Sequence, residues 1–576
     1  MSKLPLDGLV VPPLLLLIAR ELALFDEVLL PRPAAVLYDD PVALLLALVA
    51  VLMATAYATS ALLGAGPRVR GALLAASAGL LVVAPTAAAI GRGIATGQPY
   101  GHDGGVVQLP LALERVVAGQ SPYGADYSRG VLGEQSRDSV FWKPLGGNPI
   151  TKHHWYLPGM HLVMMPFFWL SRAAWGFFDP RCVTLLGYVL AALLAARLFP
   201  DAERRLSAAG LVFLHPLVLW PQVFGTNDVL SAVPLLLAAG GARAGRGAAS
   251  AVLVGLAAST KQLTWPFAPF LLVYAAGVGS FGELCRRDGA RQLGRLALVT
   301  VATFLGVVLP IALRDWDAFV ADIVRYQTGS PGGDQYPLGG TPGFGFANLL
   351  IYTGRVTSLA AFYPFSHFFL LFVPAGLLLL RFQFRTRDLS GPLAAGSAAL
   401  FLSLYFSRIP NPNYITLAAL LLPLALLLRP RLGLDTVLVP LALVALGLEA
   451  AQGQLLRATW EAGLGLPGFL LPDPTGPRWR DPLSTGWSGA LAGLALLYLF
   501  AALAGLGQRG RVALLSASAL VSMGLPLHAI SRAGGAAGVV RAQDRFLAEA
   551  VEAMEDPWWL RSSGEERRAR GSQPLA

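Results

Sequence analysis

Residues 41–95 read PVALLLALVAVLMATAYATSALLGAGPRVRGALLAASAGLLVVAPTAAAIGRGIA. Two apolar runs, 41–65 and 71–95, flank the short basic turn GPRVRG at 66–71. Each run supplies the roughly 20 mostly apolar residues a helix needs to cross a bilayer. Arginines in a short loop between such runs mark the cytoplasmic side. This stretch therefore reads as a membrane hairpin.

Similar runs recur at 156–178, 182–199, 206–223, 228–240, 249–279, 294–313, 361–381, 391–407, 413–428, 434–450, 487–507 and 511–531. The run 9–25 is weaker, interrupted by Arg20 and Glu21. By length alone this gives about 13–15 crossings. Composition agrees: of 576 residues 55% are hydrophobic and only 14% charged, against about 25% charged in soluble domains. Mean hydropathy is +0.58. The fold class is an all-α polytopic membrane protein. No small-residue cleavage site follows the first apolar run, so a removable signal peptide is not expected.

The net charge of +10 is almost all arginine. It sits in short loops at 66–71, 241–247, 286–295, 381–387, 429–431 and 508–511, which read as cytoplasmic. Alternation puts 99–155, 314–343, 408–413 and 451–486 outside. It requires 249–279 to cross twice, with the corner Ser259-Thr260-Lys261-Gln262 reaching the outer face. Arg204 and Arg205 break the pattern if 156–178 crosses, so that segment is expected to be re-entrant or interfacial, as its prolines and aromatics suit. The tail 532–576 falls outside by this count, although its RRAR run argues the other way. No basic patch interleaved with aromatics occurs, which excludes nucleic acid as a partner. Cys182 and Cys285 cannot make a disulfide framework or metal cluster. The excess of Arg, Ala, Gly and Leu suggests a GC-rich bacterial genome, and a plasma-membrane location. Five regions follow: membrane segments 1–98, an external loop 99–158, a core bundle 159–430, further membrane segments 431–531, and a polar tail 532–576.

The loop 99–158 gathers scarce polar chemistry. The chain has four lysines and seven histidines, and Lys143, Lys152, His102, His153 and His154 all lie here, with Asp103, Glu114, Asp126, Glu134, Asp138, Tyr123, Tyr127 and Tyr156. Asp103 follows a helix exit and precedes VVQLPLALERVVAG, whose apolar spacing predicts an amphipathic helix on the membrane surface. An acid there suits proton abstraction from a hydroxyl; it equally suits a helix cap. Lys261 is a cation between two apolar half-helices, where charge is costly and usually functional, or else snorkels to the interface. Asn227-Asp228 sits in a short turn, either binding hydroxyls or a cation or serving as an ordinary turn. Arg408, in the turn RIPNPNY with Asn413 and Tyr414, suits bidentate phosphate contact or interface anchoring. His153-His154 suggests a metal only weakly, because adjacent histidines point apart and no third ligand has fixed spacing. The Gly/Pro-rich 314–343 reads as a lid, an acceptor groove or plain loop. Nucleotide-loop, serine-hydrolase and zinc-protease motifs are lacking in a sensible context.

The pattern D-x-x-V-x-x-x-x-x-A-L-x-x-x-x-x-G-x-x-P-Y, from Asp103 to Tyr123, resembles the first external loop of the GT-C superfamily, integral membrane glycosyltransferases that use polyprenyl-phosphate sugars. The likeness is nearest to bacterial polyprenyl-phosphate-mannose-dependent mannosyltransferases. Later pieces follow in order: Tyr156-x-Pro158, Phe224-Gly225-Thr226-Asn227-Asp228, and Lys261-x-x-x-x-Pro266. The likeness covers roughly residues 70–430 by architecture, and its motifs are short. The chain departs from the pattern at His102, at Gly104-Gly105 and in the long 124–155 loop. The resemblance implies a GT-C-like bundle in which Asp103 is the catalytic base and a sugar, mannose first, moves with inversion from a polyprenyl-phosphate donor to a glycolipid or glycan hydroxyl at the external face. Lys261 and Arg408 are then expected at the donor phosphate. His102, Tyr123, His153, His154, Tyr156, Asn227, Asp228, Asn413 and Tyr414 are expected at substrate. No cofactor is required, and the help of a divalent cation is left open. A transporter or flippase of a lipid-linked glycan precursor is the alternative, although no repeated halves are seen.

Overall fold

The computed structural model describes residues 5–23, 40–99, 101–128, 132–133, 148–331, 335–336, 338, 344–352, 355–356, 361–429, 482–507, 509–511, 513 and 516. The expected segments 434–450, most of 511–531 and the tail 532–576 lie outside these residues, as do Glu134, Asp138 and Lys143.

The described residues form helices and loops with no strand. In chain order the main helices are α1 Leu6–Ala23, α2 Asp40–Leu62 and α3 Pro67–Thr96, then α4 Leu109–Val117, α5 Pro158–Trp175 and α6 Arg181–Arg197. There follow α7 Ala202–Leu214, α8 Pro216–Phe224, α9 Asp228–Arg243, α10 Gly247–Thr260, α11 Ala268–Ala275 and α12 Arg287–Ala312. The last four are α13 Phe369–Thr386, α14 Ser390–Tyr405, α15 Thr416–Leu428 and α16 Pro482–Ala504. Among the described residues four helices are long and apolar enough to cross a membrane: Leu45–Leu62, Pro67–Thr96, Arg287–Ala312 and Phe365–Thr386. The α7–α8 pair, bent by 46°, adds a fifth if it is one broken span. Pro216 ends α7 because it cannot donate to the preceding turn, and His215 caps the new start, its Nδ1 accepting from Leu217 N at 3.2 Å. Among the described residues shorter apolar helices of 10–17 residues occur at Leu6–Ala19, Gly247–Thr260, Asn413–Leu428 and Ser488–Ala504.

The stretch 249–279 divides as expected. Helix α10 stops at Thr260, Lys261 is extended, and a 3₁₀ turn, Gln262–Phe267, leads into α11. The start of α10 returns to the end of α11, Gly247 lying against the Ala275 carbonyl. Lys261 therefore sits at one end of the bundle and the 241–247 arginines at the other. Arg243 donates to the Leu198 carbonyl at 2.5 Å, and Arg70 pairs with Asp7 at 2.9 Å. These contacts gather arginine loops at one common end.

Helix α5 settles the irregular stretch. Its first turn packs on Ser259, beside Lys261. Near its other end Arg172 meets Glu114 of α4 at 2.9 Å, and the chain continues to Arg181, beside the Val223 carbonyl. Both ends of α5 thus lie at the Lys261 end of the bundle. It runs along that end rather than through the bundle, and Arg204 and Arg205 return to the arginine end with Leu198. Helix α14 is buried on nearly every side. Its first half, SGPLAAGSAA, is built of small residues, which allow the close helix approach that drives packing where lipid removes the hydrophobic drive between helices.

Candidate functional site

The polar loop begins with a close backbone contact. Gly97, at φ 67°, ends α3 in the left-handed conformation that a glycine adopts without a Cβ clash. The chain then passes the α8 terminus, where His102 N donates to the Phe224 carbonyl at 2.9 Å. A π-helical turn, Asp103–Gln108, runs from there into α4. His102 caps this turn, its Nδ1 accepting from Gly105 N at 2.8 Å. A Cβ on Gly105 would stand 2.2 Å from the Gly225 carbonyl, and one on Gly104 2.8 Å from the Tyr156 hydroxyl. The two glycines are therefore what lets the first loop touch both the Asn227-Asp228 turn and the start of α5. The Asp103 backbone opens this turn; its side chain lies outside the described residues.

Helix α4 has the predicted two-faced character, with Leu109, Ala112, Leu113 and Val116 buried. Gln108 fastens it. Its amide nitrogen donates to the Ile150 and His153 carbonyls at 2.5 and 2.7 Å. Its carbonyl oxygen must then accept from His154 Nδ1 at 3.2 Å. That assignment leaves His154 Nε2 to accept from His161 Nε2 at 2.8 Å. Burial, then the nearby His161, hold the His154 pKa well below its ordinary value, so the ring is neutral. His153 turns elsewhere. It meets Asp322 at 2.9 Å and stacks on Tyr326 with 3.7 Å between ring centres. The neighbouring histidines thus serve different partners. Among the described residues no three His, Cys, Asp or Glu side chains are grouped to hold a metal.

Asp322 is buried and joins two polar segments far apart in the chain. Besides His153, it accepts from the backbone N–H of Gly124 at 2.9 Å and of His154 at 3.0 Å. Tyr123 lies alongside, its hydroxyl donating to the Tyr156 carbonyl at 2.9 Å. Burial raises the Tyr123 pKa well above normal, which keeps it a donor.

Lys261 is not a lone cation. Its ammonium donates to Asp228 Oδ1 at 2.5 Å and Asn227 Oδ1 at 3.0 Å. The rings of Tyr156 and Tyr414 lie 5.6 and 5.7 Å from Nζ. Lys261 is 7% exposed, and Asn227 and Asp228 are fully buried. The Asp228 carboxylate cancels the charge that was expected to face a phosphate. Tyr414 also packs against the Tyr326, Tyr336 and Ile409 cluster, which leads to Arg408. That guanidinium is buried; Nε donates to the Tyr336 carbonyl and Nη1 to the Ala361 carbonyl at 3.0 Å. Burial lowers its pKa to about 10, which leaves it charged at neutral pH. Asn413 contributes a backbone carbonyl to the Thr416 hydroxyl at 2.7 Å.

Beneath this end lies a second buried pair. Asp179 and Arg181 make a two-pronged contact, at 3.0 Å through Nε and 2.7 Å through Nη2. Gly225 packs on the Arg181 side chain at φ 96°, a conformation open to glycine.

The structure thus brings together the described parts of His102, Tyr123, His153, His154, Tyr156, Asn227, Asp228, Lys261, Arg408 and Tyr414 at one end of the bundle. Reading the sequence missed Gln108, His161, Asp179, Arg181, Asp322, Tyr326 and Tyr336. Asp322 had one available signal: it is an acid inside an otherwise apolar turn of the second external loop. No protein-family model matches the chain, and no curated protein is similar to it.

Proposed function

We propose that this chain is a membrane glycosyltransferase that moves a sugar from a polyprenyl-phosphate donor to a hydroxyl acceptor at the external face of a bacterial plasma membrane. The observation that carries the reading is the gathering of the first loop, the Asn227-Asp228 turn, Lys261 and the Arg408 turn at one end of an apolar helical bundle. The end of an apolar bundle is where lipid and water both come near. A lipid-linked donor and a polar acceptor need both approaches.

In the proposed reaction Asp103 takes the proton of the acceptor hydroxyl as its oxygen attacks the anomeric carbon. The bond from that carbon to the phosphate oxygen breaks, and polyprenyl phosphate leaves with the electron pair. One displacement with one base inverts the anomeric centre. Arg408 is the cation assigned to the leaving phosphate, since a buried guanidinium favours developing negative charge. Mannose is the sugar the resemblance implies.

The test is transfer from radiolabelled polyprenyl-phosphate-mannose to a membrane glycolipid extract. Wild type transfers, and Asp103→Asn, inserted at the same level, transfers about 10²–10⁴-fold more slowly, the range for loss of a general base. Transfer by Asp103→Asn at the wild-type rate removes Asp103 from the role. No transfer by wild type removes this donor, and weight then moves to other donors and to the transporter reading.

A further inference from the structure

The Lys261 cluster is incompletely satisfied. Asp228 Oδ2 and Asn227 Nδ2 are both buried and have no hydrogen-bond partner among the described residues. A buried polar atom left unpaired carries a desolvation penalty, and two such atoms side by side are unusual enough to require an explanation. Each shares a carbon with an oxygen that touches Lys261 Nζ, so both flank the ammonium. One is an acceptor and the other a donor. Tyr156 and Tyr414 supply aromatic surface beside them.

A phosphate does not match this arrangement. It brings acceptors only, and it would meet the Asp228 carboxylate, whose pairing already cancels the lysine charge. A pair of neighbouring hydroxyls does match. One hydroxyl donates to Asp228 Oδ2 and the other accepts from Asn227 Nδ2. The third ammonium hydrogen can reach either oxygen, because a lysine has three donors and two are used here. The aromatic walls suit the C–H face of a sugar ring, as in ligand sites that combine aromatic surface with a few placed polar groups.

We propose that Asn227, Asp228 and Lys261, walled by Tyr156 and Tyr414, bind a vicinal hydroxyl pair of a sugar ring and not the donor phosphate. The choice of sugar lipid as ligand rests on the glycosyl-transfer reading; the hydroxyl-pair chemistry does not. The sugar is that of the donor or that of the acceptor.

The test uses the full-length protein in nanodiscs and three probes: polyprenyl phosphate, polyprenyl-phosphate-mannose and methyl α-mannoside. Asp228→Asn alone would strand a buried lysine, so the main variant is Asp228→Asn with Lys261→Met, which removes both charges together. Asn227→Ala is the milder companion. If the site holds the donor sugar, wild type binds the mannosylated lipid at least about ten-fold tighter than the bare lipid, a step of one or two good hydrogen bonds. The double variant then binds the two lipids equally, with bare-lipid affinity unchanged. If the site holds the acceptor sugar, the double variant loses methyl mannoside and keeps its discrimination between the lipids. A fall in bare-lipid affinity in the double variant overturns the proposal, because Lys261 is then a phosphate ligand. So does a double variant that matches wild type on all three probes. Should wild type bind neither lipid, the glycosyl-transfer reading fails on its own, and methyl mannoside still decides: binding lost in both variants supports the hydroxyl-pair site, and no binding by wild type overturns it.

Discussion

Asp322 and His153 lie 169 positions apart in the chain and meet at 2.9 Å, fastening the segment after α12 to the polar loop before α5. The contact is one of three that Asp322 makes, the others being to backbone N–H groups of the first loop. Its carboxylate is therefore a clasp for residues 124–154, and removing it strands three donors at once.

Asp322→Ala is expected to destabilise this end of the molecule by roughly 1–3 kcal/mol, the scale for leaving a buried hydrogen-bonding group without its partner. The loss should be local. Limited proteolysis should cut the variant within residues 124–154 sooner than wild type, while the bundle's helical signal stays the same. Cutting at the wild-type rate would show that the clasp does not hold the loop.

Gly105→Ala should separate the first loop from the Asn227-Asp228 turn, because its new Cβ would stand 2.2 Å from the Gly225 carbonyl, a rigid backbone atom. Transfer should fall by tenfold or more, since misplacement by about 1 Å alone can cost 10²-fold. The thermal midpoint should move by only a few degrees. Gly91→Ala is the control: it meets nothing within 4 Å and should behave as wild type.

Acid should loosen the site through His154. Its folded pKa is depressed by burial and by His161, so the unfolded chain binds more protons as pH falls below about 6.5. Stability from this group is therefore complete above pH 6.5 and declines below it, by about 1.4 kcal/mol per pH unit while the ring stays neutral. Besides His161, the rings of Tyr123, Tyr127 and Tyr156 surround it. Unfolding midpoints at pH 7.5 and 5.5 should draw apart in wild type and less so in His154→Gln. Equal pH dependence in the two proteins would assign the effect to another group.

The Asp179–Arg181 pair makes a prediction about support beneath the site. Arg181→Met leaves a buried carboxylate alone and should cost about 3–5 kcal/mol. Asp179→Asn with Arg181→Met removes both charges and should recover much of that loss. Thermal unfolding of the single and double variants checks the difference.

Much of the fold could be read from the apolar runs, because a bilayer requires long stretches and arginines mark their ends. The division of 249–279 at Lys261 followed from charge placement. Average hydropathy treats 206–223 as one continuous run, whereas Pro216 bends it by 46° between α7 and α8. The candidate site could be read only in part. His102, Tyr156, Asn227, Asp228 and Lys261 announced themselves as polar residues in apolar surroundings. Partners were another matter. Lys261 looked solitary because its counter-ion lies 33 residues earlier in the chain, and His161 looked like one more residue of an apolar helix. Asp322 and Arg181 were hidden in the same way, since nothing local in a sequence says which distant backbone carbonyl or carboxylate a side chain will find.

Many of the bonds that sew the loops at the Lys261 end together run from a side-chain donor to a main-chain carbonyl: Gln108 to Ile150 and His153, Tyr123 to Tyr156, Arg314 to Val116, Arg408 to Tyr336 and Ala361. Every residue carries a carbonyl whatever its side chain. The constraint on evolution therefore falls on the few donors and leaves most receiving positions free to change. A scaffold fastened in this way can change its surface, one substitution at a time, without coming undone.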